Sequence, residues 1–169
     1  MSKQIFIRKS KKIKLVATDI DGVWTNAKMY YTENGEFMKS FSTYDGMATS
    51  LLMNEGIDVA ILTSEKSEIV KARAKKLGIK YVYINEKEKL FRMEYLCNRL
   101  NISMDEAAYI GDDINDLEVL QQVGISAMPC TSPILDKVNP HYITKRAGGD
   151  GAFREFADLL IKYRKWYYT

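Results

Sequence analysis

A chain of 169 residues with 28% charged side chains and a formal net charge of +3 has the size of one domain and can bury roughly 70% of its unfolded surface. The charge is too small to argue for nucleic acid, and no apolar run reaches the length of a membrane span or forms a signal-peptide pattern. One cytoplasmic domain over residues 1–169, with no membrane or nucleic-acid partner, is therefore expected.

The basic arm from Lys3 to Lys14, with Arg8, Lys9, Lys11 and Lys12 between, reads as the solvated flank of a strand; RNA contact is the competing reading. Ile13–Thr18 is the first predicted strand, an apolar run that stops at Asp19-Ile20-Asp21-Gly22. In Lys28–Phe41 the dipeptide Asn34-Gly35 stands between strand-like flanks and predicts a hairpin. It either projects as a flap near the end of the first strand or only pads the core. A helix over Met47–Asn54 and a strand over Val59–Thr63 follow. A helix after Ser67 runs to Leu77 on an apolar face of Val70, Ala74 and Leu77, with Gly78 to end it. Tyr81–Ile84, Ala108–Gly111, Ile125–Ala127 and Tyr142–Ile143 are further strands. Lys89–Leu100, Asp116–Val123 and Ala152–Tyr163 are further helices, the first with Leu90, Met93, Leu96, Cys97 and Leu100 at helical spacing.

Strands alternating with helices imply an α/β fold: a Rossmann-like, mostly parallel sheet with helices on both faces. Nothing in the chain is long enough to be a cap domain. Cys97 and Cys130 make no ligand pattern and support no disulfide, and the lone His141, at a strand start after Pro140, reads as structural. The tail Tyr163–Thr169 mixes aromatic and basic residues; it either docks on a neighbouring subunit or frays.

Carboxylates at the carboxyl end of a buried strand sit where open α/β sheets bind ligands. Asp19 and Asp21 there repel each other unless a cation or a shared proton compensates, which points to a metal-dependent site. The second apolar run ends in Thr63-Ser64, Lys89 follows within Glu86–Leu90, and a third run ends in Gly111-Asp112-Asp113-Ile114-Asn115-Asp116. Taken singly, Thr63 is a strand-end hydroxyl, Lys89 a solvated lysine and the late acids helix caps. The conjunction says more.

In chain order, Asp-x-Asp, Thr, Lys and Gly-Asp-Asp-x-x-Asp resemble the haloacid dehalogenase superfamily of aspartate-nucleophile phosphatases. The longer strings Asp19–Thr25 and Arg146–Glu155 are similar to its small capless branch, which holds 3-deoxy-octulosonate 8-phosphate phosphatases and nonulosonate 9-phosphate phosphatases. The resemblance implies that Asp19 is the nucleophile and Asp21 the general acid and base. It implies that Thr63 binds a phosphoryl oxygen and that Lys89 offsets charge on Asp19 and on the transferring group. One Mg²⁺ is implied on the Asp19 side chain, the Asp21 carbonyl and the Asp112 side chain, with Asp113 and Asp116 orienting metal-bound waters or Lys89. A homotetramer in which a neighbour covers each active site is implied as well.

The expected substrate is a sugar-acid phosphate. Octulosonate phosphatases typically show Thr-Gly-Arg where this chain has Thr63-Ser64-Glu65, with Lys66 next. The Glu65-Lys66 pair is more similar to phosphatases of nine-carbon acids, such as 2-keto-3-deoxynononate 9-phosphate and N-acetylneuraminate 9-phosphate; Ser64 departs from both groups. Lys66, Arg73 and Lys76 share one helical face at i, i+7 and i+10 and either meet a substrate carboxylate or form a solvated basic face. Asp150 stands where the octulosonate group commonly has Arg. A nine-carbon acid is thus the leading expectation and octulosonate 8-phosphate the alternative. A signalling receiver domain has its acidic pair before the phosphoacceptor strand, against the order here. A non-catalytic oligomerisation module would lack the carboxylates that this chain keeps.

Overall fold

The computed structural model describes residues 2–166. Its strands, in chain order, are β1 (Leu15–Thr18), β2 (Tyr30–Thr32), β3 (Gly35–Met38), β4 (Asp58–Leu62), β5 (Tyr81–Tyr83), β6 (Ala107–Ile110), β7 (Ile125–Met128) and β8 (Tyr142–Ile143). Its α-helices are α1 (Lys3–Ser10), α2 (Thr43–Asn54), α3 (Glu68–Leu77), α4 (Lys89–Leu100), α5 (Leu117–Gln122) and α6 (Ala152–Arg164). The strand and helix positions expected from periodicity are met, most ends within two residues, but α2 begins at Thr43, four residues before the expected Met47.

The main sheet has the order β5-β4-β1-β6-β7-β8 and every pairing in it is parallel. The antiparallel component is confined to the separate β2–β3 hairpin. Chain order runs outward in one direction through β4 and β5 and in the other through β6, β7 and β8. The reversal lies between β1 and β6, and connections leaving in opposite directions open a crevice at the carboxyl ends of those two strands. Asp19 and Asp112 stand one and two residues beyond β1 and β6.

All four residues of β1 are buried, as a strand covered on both sides requires. The side chains of Val16, Val59, Ile61, Ala108 and Ile110 join a core with Phe6, Leu52, Val70, Phe153 and Phe156, from α1, α2, α3 and α6. Leu15, Ala17, Leu62 and Tyr109 join the opposite core with Met93, Leu96, Val119 and Leu120, from α4 and α5. The period-2 alternation of the strands thus sends alternate residues into two helix layers.

Three local expectations are corrected. The basic arm is not a strand flank: Lys3–Ser10 is a helix, capped by the Ser2 hydroxyl on Ile5 N (3.4 Å), with Phe6, Ile7 and Ser10 buried. Phe6 meets the Tyr163 ring of α6 edge-on at 5.6 Å. The hairpin reverses at Glu33-Asn34, with Thr32 opposite Gly35. Neither turn residue takes a positive φ, and that conformation falls to Gly35 at φ +108°, where a side chain would be strained. Lys66 precedes α3, because the Ser67 hydroxyl accepts Val70 N (3.4 Å) and starts the helix there. Lys66, Arg73 and Lys76 therefore do not share one helical face.

The tail through Trp166 packs on its own chain. Lys3 lies over the Trp166 ring at 4.7 Å, and Arg164 donates to Ile13 O at 2.8 Å. The rest of the expected tail, residues 167–169, lies outside the described residues. Among the described residues no helix is long and apolar enough to cross a membrane.

Candidate active site

Asp19 leaves β1 with its amide bonded to Ile110 O of β6 (3.0 Å), so the switch-point strands hold its backbone. Its Oδ1 accepts the Ile20 amide (2.7 Å), and its Oδ2 lies 3.0 Å from Lys89 Nζ. The following turn folds back on itself, with Ile20 O accepting the amides of Val23, Trp24 and Thr25. Trp24 anchors the turn by donating to Thr18 Oγ1 (3.1 Å) and stacking on Phe153 (5.1 Å). At Gly22, φ is +84° and a Cβ would lie 1.8 Å from Asp112 Oδ2. Only glycine lets the two acidic loops approach this closely.

Lys89, the first residue of α4, has a fully buried side chain and bridges Asp19 and Asp116, at 3.0 and 2.6 Å. Burial pulls its pKa down, but the charges of Asp19 and Asp116 and their hydrogen bonds outweigh that, and the net direction is up. Asp116 also accepts the Tyr109 hydroxyl (2.5 Å) on Oδ1 and the amides of Asp112 (2.9 Å) and Asp113 (3.3 Å) on Oδ2. Burial and the Asp116 charge hold the proton on the Tyr109 phenol, which keeps it a donor.

Oxygens of Asp19, Asp112 and Asp116 lie within 4.8 Å of one another. The four donors on Asp116 use the lone pairs a carboxylate offers. The Asp112 carboxylate accepts no hydrogen bond among the described residues. Burial, then the charges of Asp19 and Asp116, push it up to about 8. Burial and Asp116 push Asp19 up to about 7 against the pull of Lys89. Two crowded, under-satisfied oxygen donors fit a hard divalent cation such as Mg²⁺, and Asp116 fits as the group that fixes the loop and Lys89.

A cleft of about 230 Å³ opens above these acids, lined by Asp19, Asp21, Ala27, Thr63, Ser64, Glu65, Asp112, Asp113 and Asn115. Thr63, just past β4, is held by its amide on Tyr83 O (3.0 Å). Asn115 donates to Ser64 Oγ (2.9 Å) at the cleft rim. Asp113 caps the turn that follows by accepting Ile114 N (2.7 Å) and makes no bond to Lys89. Asp21 Oδ1 takes Lys39 Nζ (2.6 Å) and Thr25 Oγ1 (3.1 Å).

The fold therefore gathers Asp19, Asp21, Thr63, Lys89, Asp112, Asp113 and Asp116, with Ser64 and Glu65 at the rim. It does not gather the predicted basic triad. Lys66 and Lys76 are exposed, and Arg73 packs across Gly46 of α2 and over the Phe41 ring (5.7 Å), so none of the three lines the cleft. Sequence reasoning missed Lys39, Thr25, Tyr109 and Asn115. Asn115 was within reach, since it sits inside the acidic string that marks the site.

Residues 35–124 match the family model described as haloacid dehalogenase-like hydrolase. The chain belongs to the haloacid dehalogenase-like hydrolases. This hydrolase is 36% identical over 155 residues to the 3-deoxy-D-manno-octulosonate 8-phosphate phosphatase of Escherichia coli K12, covering 92% of this chain and 82% of that protein. The Haemophilus influenzae protein of the same name, from strain Rd, is also 36% identical, over 92% of this chain and 86% of that one. Among solved structures, the Moraxella catarrhalis phosphatase, crystallised with magnesium, phosphate and 3-deoxy-D-manno-octulosonate, superposes with a TM-score of 0.91 at 33% identity, over 96% and 93% of the two chains. The cobalt-bound Haemophilus influenzae phosphatase gives 0.88 at 36% identity, over 92% and 91%. These relatives place the hydrolase in the capless branch that its sequence resembles, and the absence of an inserted domain among the described residues agrees.

Proposed function

We propose that this hydrolase is a Mg²⁺-dependent phosphatase of 3-deoxy-D-manno-octulosonate 8-phosphate. The observation that carries the chemistry is the buried Asp19–Lys89–Asp116 bridge beside Asp112, beneath a cleft that also presents Asp21 and Thr63. The substrate assignment is supported by relatives bearing that name across 92% of the chain. It replaces the nine-carbon acid as the leading reading. Of the Glu65-Lys66 pair that favoured that acid, Glu65 lines the cleft and Lys66 does not.

In the first half-reaction an Asp19 oxygen bonds to phosphorus while the ester P–O bond breaks. Its electron pair stays on the sugar oxygen, which takes a proton from Asp21. Water then attacks the aspartyl-phosphate and gives its proton to Asp21; the acyl P–O bond breaks, and phosphate and both carboxyl groups are restored. Lys89 neutralises Asp19 and the equatorial charge of the transferring group. The Thr63 hydroxyl holds a phosphoryl oxygen. Asp19, Asp112 and the Asp21 carbonyl would hold the cation, which supplies charge neutralisation and alignment of the phosphate.

The resemblance implies a cytoplasmic homotetramer whose subunits cover one another's clefts. Tyr31 and Phe37, 61% and 68% exposed on the hairpin, support that assembly, and sedimentation of the purified chain tests it.

The test of the substrate is phosphate release with Mg²⁺ from octulosonate 8-phosphate, 2-keto-3-deoxynononate 9-phosphate and N-acetylneuraminate 9-phosphate. The highest kcat/KM is expected for the eight-carbon ester. A clear preference for either nine-carbon ester reverses the substrate assignment. Asp19→Asn is expected to fold and to release no phosphate; wild-type-like release from that variant would remove Asp19 as nucleophile.

A further inference from the structure

Lys39 stands one residue past β3, where the hairpin returns to the body of the protein. Its side chain is fully shut away from solvent between two carboxylates. Nζ donates to Asp21 Oδ1 at 2.6 Å and lies 2.8 Å from Glu36 Oε1. Thr25 Oγ1 donates to the same Asp21 oxygen at 3.1 Å. Asp21 Oδ2 is buried and has no partner among the described residues. Beyond Lys39, the second oxygen of Glu36 accepts the Ser67 hydroxyl, and Ser67 closes the loop that carries Thr63, Ser64 and Glu65.

Lysine is almost never buried without a partner, and a hairpin needs no buried ammonium to stay attached. What this one does is fix a rotation. A free carboxyl group turns about its last bond and interchanges its oxygens. Two donors on Oδ1 stop that turn and hold the carboxyl group in one orientation. Proton transfer to a departing oxygen needs its donor within hydrogen-bond reach at the moment of bond breaking. An Asp21 side chain free to rotate meets that condition only part of the time.

We propose that Lys39 is a positioning residue that anchors Asp21 Oδ1 and so holds the Asp21 carboxyl group in one orientation at the cleft it lines. The Lys39–Glu36–Ser67 chain ties that orientation to the loop after β4 that borders the cleft. The inference rests on Asp21 as the acid and base of the proposed phosphatase reaction. It goes beyond that reading by giving the hairpin a part in the chemistry.

The need to protonate a leaving oxygen grows with its basicity, so the loss of Lys39 falls on esters with basic leaving groups. The experiment measures kcat/KM for aryl phosphates from 2,4-dinitrophenyl to phenyl phosphate, at saturating Mg²⁺. It uses the wild type, Lys39→Met and Thr25→Val, with Asp21→Asn as reference. For Lys39→Met, phenyl phosphate is expected to fall about 10²-fold and the dinitrophenyl ester less than about 10-fold. The dependence of rate on leaving-group basicity then steepens toward that of Asp21→Asn. Thr25→Val steepens it in the same direction by less. An equal loss across the series in a Lys39→Met protein with wild-type circular dichroism makes Lys39 a purely structural residue and overturns the proposal; an unchanged slope does so too. Should Lys39→Met fail to fold, Thr25→Val decides, with a steeper slope in support and an unchanged one against. The series contains no sugar acid, so failure of the wild type on octulosonate 8-phosphate rejects the substrate reading and leaves this test standing.

Discussion

Lys89 donates to Asp116 at 2.6 Å with both side chains fully buried. The pair is the joint between the two acidic loops: Lys89 reaches on to Asp19, and Asp116 gathers Tyr109 and the amides that begin the Asp112 loop. Asp116→Ala removes one partner from a buried ion pair and strands three further donors. A loss of about 3–5 kcal/mol in stability is expected, measured by urea unfolding. Asp116→Asn keeps the shape and removes the charge. Its NH2 group faces two of the four donors, so the variant is expected to cost stability as well and to lower kcat by about 10²-fold or more, because Lys89 loses the counter-charge that aims it at Asp19. A wild-type kcat in Asp116→Asn would show that Lys89 needs no such aim.

Gly22 separates the turn after β1 from Asp112. An alanine there would place its Cβ 1.8 Å from Asp112 Oδ2 at a φ of +84°, which L side chains adopt at a cost of about 1–2 kcal/mol. Gly22→Ala is expected to fold, to melt slightly lower and to lose Mg²⁺ affinity by more than about tenfold, because Asp112 must rotate away. Titration calorimetry with Mg²⁺ reads this directly. An unchanged affinity would mean that Asp112 does not hold the cation.

Asp19, Asp21 and Asp112 were legible because each stands where an apolar run stops, and a strand's end at the centre of a parallel sheet needs no tertiary information to be recognised as a site. Lys89 and Thr63 were legible only in company, since each has an ordinary explanation alone. Lys39 was not legible. A lysine in a hairpin is normally solvated, and its burial depends on the hairpin folding back over Asp21. Tyr109 hid in an apolar strand, where its ring answers for the pattern and its hydroxyl leaves no trace. Helix α1 hid under its charges: Phe6, Ile7 and Ser10 mark a buried face too short to stand out among Lys3, Arg8 and Lys9. Arg73 was misplaced because helical spacing gives the face of a residue but not what packs against it, here Gly46 of α2.

The acidic centre predicts how metal and pH act together. Burial and neighbouring charge raise Asp112 to about 8 and Asp19 to about 7, above the usual unfolded value near 3.9. An acid whose pKa is higher in the folded state binds more protons there than in the unfolded chain. Without a cation, stability therefore falls as pH rises through the window from about 4 to 8. A divalent cation binds the ionised carboxylates and reverses the loss. Mg²⁺ is expected to raise Tm clearly at about pH 8.5 and little at about pH 5.5, and chelation at the higher pH undoes the gain. Equal shifts at both pH values would place the cation elsewhere.

Another buried acid makes a separate prediction away from the acidic cleft. Asp45, in the first turn of α2, is fully buried, and its Oδ1 accepts the Arg154 amide (2.9 Å), capping α6 from outside that helix. Burial raises it from 3.8 to about 6, against the pull of that bond and of Arg146. The sign again follows from the raised pKa. The fold prefers the protonated acid, so the contribution of Asp45 is most favourable below pH 4 and is progressively lost as pH rises to about 6. The whole swing is at most about 3 kcal/mol. Asp45→Asn keeps an oxygen for Arg154 and carries no charge. Its stability relative to wild type is expected to improve as pH rises from about 4 to 7 and to level off above that. Urea denaturation of both proteins across this range measures the difference. A flat difference would mean that Asp45 stays ionised throughout, held by Arg146 and the end of α6 more strongly than burial opposes it.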